Sequence, residues 1–95
     1  MNEYYTYILE CADAKFYVGV TNDLNRRMQE HSSGVNKNSW TFNRRPLKLV
    51  YYEKFHDVNQ AIAWEKQIKG WRRAKKIALI KGDWNSLPLL AKRKK

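Results

Sequence analysis

Two tyrosines, an arginine, a histidine and a glutamate lie at spacings that secondary structure could gather into one place: Tyr7, Tyr17, Arg27, His31 and Glu65. Arg27 and His31 fall in a stretch where Leu24 and Met28 repeat at helical spacing. At about 100° per residue from Leu24, Met28 lies at about 40°, His31 at about −20°, Arg27 at about −60° and Arg26 at about 200°. Arg27 and His31 therefore border the buried face, and Arg26 points to water. An arginine with a limited view of solvent needs an anion, either a carboxylate such as Glu30 or a phosphate.

Glu65 is the sharper anomaly. With Val58 at zero, Ala61 falls at about −60°, Ile62 at about 40° and Glu65 at about −20°, in the middle of an apolar stripe. A desolvated carboxylate there costs several kcal/mol unless it is protonated, paired or bound to a metal. Lys69, four residues on, offers a salt bridge. A divalent cation, which takes carboxylate oxygen and belongs beside a phosphate, offers the other solution. Tyr7 and Tyr17 sit on two strands of an expected hairpin. An odd-length loop such as Asp13-Ala14-Lys15 puts both hydroxyls on one face, whereas an even one separates them.

The elements that must position these groups follow from periodicity. Residues 4–11 and 16–21 alternate with β-formers around a turn at 12–15. Thr21-Asn22-Asp23 offers capping oxygens and Gly34 a stop, which places a helix at about 23–33. The polar stretch 35–45 reads as a loop, and 47–55 as a third strand. Asp57 and Gln60 have the form of a capping box opening a helix to about Lys69, with Gly70 as the break. A basic helix follows over 72–81, and Trp84, Leu87 and Leu90 suggest a closing apolar turn. The expectation is an α+β fold, a three-stranded antiparallel sheet flanked by helices. It forms one domain over residues 1–91 with a basic tail at 92–95.

Composition narrows the partners. Ninety-five residues with 43% hydrophobic content allow one compact core. Residues 72–95 hold 9 Lys/Arg against 1 Asp/Glu, most of the net charge of +10. Such a block favours a polyanion, because each phosphate neutralised releases condensed counterions. Arg72, Arg73, Lys75 and Lys76 are the candidate nucleic-acid contacts. No membrane partner is expected: no apolar run approaches the roughly 20 residues that span a bilayer. The start Met1-Asn2-Glu3-Tyr4 lacks the regions of a signal peptide, so a cytoplasmic protein is expected. Cys11, the only cysteine, reads as a small hydrophobe at a strand end, and with His31 and His56 it makes no zinc-ligand spacing.

Taken jointly, Tyr5-Thr6-Tyr7, Tyr17-Val18-Gly19 ten residues later, Arg27 ten further on, His31, and Glu65 within Ala63-Trp64-Glu65-Lys66-Gln67-Ile68-Lys69 resemble the GIY-YIG nuclease family. The likeness runs through nearly the whole chain and is closest to small stand-alone members. It implies a metal-dependent endonuclease acting on DNA before RNA, with branched or single-stranded forms as candidates and no obligate protein partner. By the same resemblance, Tyr17 or Tyr7 helps a water lose its proton, and Arg27 stabilises charge on the phosphoryl oxygens. Glu65 holds a single divalent ion, usually Mg²⁺, and His31 lies near the nucleophile. The chain departs from the pattern at Tyr5-Thr6, where relatives have Gly-Ile, at Val20, where some have lysine, and after Glu65, where no asparagine follows at 12 to 15 residues. Two other readings stand beside this one: a weakly catalytic DNA- or RNA-binding module using the site as a phosphate clamp, and an interaction protein exposing Trp64, Trp71, Trp84 and the tyrosines.

Overall fold

The computed structural model describes residues 3–34 and 39–82, so the closing turn expected at Trp84, Leu87 and Leu90 and the tail lie outside the described residues. Strands β1 (Tyr4–Glu10) and β2 (Phe16–Thr21) form the hairpin, and helix α1 (Leu24–Ser33) follows. A short 3-10 turn (Phe42–Arg44) leads to β3 (Lys48–Phe55), and helices α2 (Val58–Lys69) and α3 (Arg73–Lys81) complete the order. The sheet is antiparallel in the order β2-β1-β3, which makes β1 the central strand. The α+β architecture is the expected one, with most element ends within one or two residues. The 3-10 turn was not expected, because three residues carry too few positions for a hydrophobic period.

Local chemistry sets the helix ends. The Asp23 carboxylate accepts from the Arg26 backbone N–H at 3.1 Å, satisfying one of the donors a helix start leaves open. Asp57 does the same for Asn59 at 2.9 Å. Gly34, at φ 70°, closes α1 in the left-handed region that suits glycine.

Strand alternation divides the sheet into two faces. Ile8 and Val18 point one way and form the core with Ile68 of α2 and Leu79 of α3. Burying each such side chain contributes roughly 1.5–3 kcal/mol. On the same face the Thr6 hydroxyl donates to the Ala61 carbonyl at 2.7 Å, docking α2 under β1. Trp64 and Trp71 pack against this core, and the Trp64 indole donates to the Tyr51 hydroxyl at 3.1 Å. Both are half-buried, which removes them from the exposed aromatic patch that the interaction reading required. The opposite face carries Tyr7 and Tyr17 and receives His31, the one buried residue of α1.

Candidate active site

The pairing register decides whether the two tyrosines can act together. Tyr7 pairs with Gly19 and Leu9 with Tyr17, so the five-residue turn between Glu10 and Phe16 has the odd length that puts both rings on one face. Their centroids are 6.2 Å apart. Gly19 makes this possible. A Cβ there would stand 2.6 Å from the Tyr7 hydroxyl oxygen and 2.8 Å from its Cζ, closer than side chains tolerate. Gly19→Ala is expected to cost about 1–3 kcal/mol through this overpacking and to push the phenol off its partners. A thermal melt within about 0.5 kcal/mol of the unmodified protein would show that the ring yields without cost.

From α1, Arg27 and His31 reach the same phenol. Arg27 Nε donates to the Tyr7 hydroxyl at 3.3 Å, and its Nη1 donates to Glu30 at 3.2 Å. The arginine therefore meets both the site and its helical carboxylate neighbour. Arg26, more exposed at 55% against 40%, also reaches Glu30, at 3.5 Å. His31 Nε2 lies 3.1 Å from the Tyr7 hydroxyl, and Nδ1 lies 3.0 Å from the Thr41 hydroxyl. Tyr17 completes the group, its ring edge-on to His31 at 5.3 Å and stacked on Trp40 at 6.0 Å. Arg27 lines two openings, a cavity of about 120 Å³ shared with Glu30, His31, Ser39 and Thr41, and an open groove of about 390 Å³ shared with Arg26 and Thr21.

The electrostatics of the cluster follow from burial. Burial pushes the Tyr7 phenol up to about 12 against the pull of the Arg27 hydrogen bond, so it stays protonated near neutral pH. Burial, seconded by the Arg27 charge, holds the His31 imidazole below its usual value and hence neutral at pH 7. The hydrogen bond to Tyr7 keeps Arg27 charged beyond its ordinary range. Tyr7 is fully buried on the central strand, whereas Tyr17, on the edge strand, is half-exposed. Of the two phenols, Tyr17 is the one that a water or phosphate can meet.

Glu65 stands apart from this group. Its carboxylate, 18% exposed, is paired with Lys69 Nζ at 3.0 Å, and α2 packs against the face of β1 that carries Thr6. Among the described residues, no group of three His, Cys, Asp or Glu could hold a metal ion together. A cation at Glu65 would thus depend on one carboxylate, with water and phosphate supplying the rest. That ligand set fits Mg²⁺, which keeps several waters and binds through one or two carboxylates.

The basic helix is less uniform than its charge count. Arg72 is exposed, but Arg73 Nη1 donates to the Ala14 carbonyl at 2.7 Å, with its guanidinium over the Phe16 ring. Lys76 is half-buried. Lys75 is buried, its Nζ 3.9 Å from the Trp71 ring centroid, a cation–π placement that turns it from the phosphate-facing position expected for it. The groups missed by sequence reasoning are Thr41 and Ser39. They stand in a polar stretch of Asn, Ser and Thr that reads as solvated, and no periodic signal distinguishes them.

The family model for the GIY-YIG catalytic domain matches residues 3–78, which spans every element of the sheet and α2. The chain belongs to the GIY-YIG family. This GIY-YIG domain is 43% identical to a UPF0213 protein of Syntrophus aciditrophicus over 85% of this chain and 93% of that one. It is 42% identical to a UPF0213 protein of Haloquadratum walsbyi over 83% and 89%. Among solved structures, it is similar to a UPF0213 protein from Bacillus halodurans (38% identity, TM-score 0.55, covering 83% of each chain). An E. faecalis protein is likewise similar (34% identity, TM-score 0.61, covering 86% of each). Relatives in this GIY-YIG group therefore extend little beyond the matched domain, and the three-stranded sheet with its helices is the shared frame. No helix among the described residues is long and apolar enough to cross a membrane.

Proposed function

We propose that this domain is an endonuclease that hydrolyses phosphodiester bonds in DNA, on branched or single-stranded forms, with Mg²⁺ or another divalent cation. The observation that carries the reading is the convergence of one permanent cation, two phenols and a neutral imidazole, with Arg27 lining two openings and His31 one of them. Arg27 presents a guanidinium that can take charge on phosphoryl oxygens as it develops, the term that contributes most in such sites. Tyr17, the accessible phenol, meets the attacking water. Tyr7 is fully buried, and burial pushes its phenol up to about 12, so it holds its proton near neutral pH. It acts as the buried hydroxyl on which Arg27 and His31 are aligned. Glu65 is the carboxylate that would hold the cation, although α2 packs on the sheet face opposite the cluster, and a bound cation would supply positive charge there. Arg72, Arg73 and Lys76 supply electrostatic attraction for the backbone of the strand.

A second reading, a phosphate-binding module with little turnover, is favoured by the Glu65–Lys69 ion pair, which occupies the one carboxylate offered to a metal. Labelled branched, nicked and single-stranded DNA, and RNA, incubated with and without Mg²⁺, separate the two. The nuclease yields product only with the cation. Salt-sensitive binding without product supports the clamp, and absence of binding overturns both.

A further inference from the structure

Arg27 has only donors, so its contact with Tyr7 fixes the direction of the bond: the phenol oxygen accepts. The phenol is fully buried, so its own proton needs an acceptor, and His31 Nε2 at 3.1 Å is that acceptor. A neutral imidazole carries one proton. If Nε2 accepts, Nδ1 must bear the proton and donate to Thr41 Oγ1, 3.0 Å away. Thr41, 1% exposed, then donates its own hydroxyl hydrogen bond to Ser39 Oγ at 2.9 Å, which also accepts from the Thr41 backbone N–H at 3.3 Å. With this orientation every contact in the row has one donor and one acceptor. The reverse tautomer would leave the Tyr7 oxygen accepting from both Arg27 and His31, with only Tyr17 beside it to take its proton.

The loop that carries these hydroxyls is fastened to the hairpin. The Arg44 carbonyl accepts from the Ala12 N–H at 2.9 Å, and its guanidinium pairs with Asp13 at 3.2 Å and lies 3.9 Å over the Trp40 ring. Trp40 in turn stacks on Tyr17. Thr41 is therefore held in place relative to both tyrosine-bearing strands.

We propose that Thr41, backed by Ser39, is a positioning residue that holds His31 in its Nδ1–H tautomer and thereby turns the Tyr7 hydroxyl so that its lone pairs face Arg27. Thr41 lines the smaller cavity but is only 1% exposed. It acts through His31 and Tyr7 on the placement of the guanidinium, and in its catalytic consequence it rests on the nuclease reading. The charged and titratable groups facing His31 are Tyr7 of β1, Tyr17 of β2, and Arg27 and Glu30 of α1. The Nδ1 side of the ring faces the Thr41 hydroxyl, at 3.0 Å.

The tautomer can be read without any activity, by long-range ¹H–¹⁵N correlation of the His31 ring at pH 7.5. The unmodified protein and Thr41→Ser should show protonated Nδ1 and unprotonated Nε2, whereas Thr41→Val should move the proton to Nε2 or mix the two forms. An Nε2–H imidazole in the unmodified protein overturns the proposal, as does a Thr41→Val spectrum identical to it. Where cleavage is present, Thr41→Val should lower kcat about ten- to hundredfold with KM little changed, and Thr41→Ser should restore it. An Nδ1–H tautomer in a protein that cuts nothing would sink the nuclease reading and leave the positioning of His31 standing. Full kcat in a Thr41→Val protein whose tautomer has moved would overturn the link from Thr41 to Arg27.

Discussion

Replacing Arg27 by alanine is expected to cut the rate of cleavage by about a hundredfold or more while changing affinity little, because a contact that strengthens as charge develops lowers the barrier without equal ground-state binding. Arg26→Ala is the internal control. Both side chains reach Glu30, so each substitution removes one of that carboxylate's two partners, but Arg27 alone also touches Tyr7. Arg26 should cost at most a modest amount of affinity, as the loss of one exposed phosphate contact would, and spare the rate at saturating substrate. The Arg27–Glu30 pair is 40% and 41% exposed, so its loss should lower stability by less than about 1 kcal/mol. A collapse of the melting temperature would therefore mean that the guanidinium is structural.

The same substitution has a signed effect on titration. The Arg27 charge is one of the two causes that lower the His31 pKa, after burial. Removing it should move the His31 titration upward towards the ordinary histidine value, as read by NMR. If activity needs neutral His31, the acid limb of the pH–rate profile should move upward with it. An unmoved titration would show that burial alone sets the imidazole. Loss of affinity at Arg27 without loss of rate would favour the phosphate-clamp module, and equal losses from Arg26 and Arg27 would refute the difference in helical phase on which the assignment rests.

Much of the fold was legible because it rests on local chemistry. Asp23 and Asp57 read as caps and are caps, Gly34 and Gly70 end their helices, and alternation through Tyr5-Thr6-Tyr7 and Tyr17-Val18-Gly19 marked the hairpin. Helical phase separated Arg26 from Arg27 and put Glu65 and Lys69 on one stripe, four residues apart. What sequence left open depends on distant pairing. Tyr7 and Tyr17 are equivalent in the pattern, and they differ because β3 pairs with β1 and so encloses Tyr7 while leaving Tyr17 on an edge. Lys75 counts as one charge among nine in the basic segment, and only the position of the Trp71 ring shows that it is turned inward. Thr41 is invisible for the same reason, since its role exists through a contact with a histidine ten residues away across a loop.

Glu65→Gln is expected to abolish Mg²⁺-dependent cleavage and to leave the fold intact, because the amide keeps the shape and one acceptor oxygen but loses the charge that a hard cation requires. The Lys69 ion pair does not stand in the way on energetic grounds. Lys69 is 56% exposed, and a pair with one partner so open to solvent contributes on the order of 1 kcal/mol or less. A divalent ion held by the Glu65 carboxylate would displace it. Lys69→Met then becomes the discriminating partner variant. If Glu65 serves a metal, freeing its carboxylate should keep cleavage and tighten Mg²⁺ binding in titration calorimetry, while Glu65→Gln removes both. If the pair is structural, Glu65→Gln and Lys69→Met should lower the melting temperature alike, and neither should alter cation binding. Cleavage that survives Glu65→Gln, or a protein that binds no divalent ion even with nucleic acid present, would assign Glu65 to the salt bridge and remove the metal from this site.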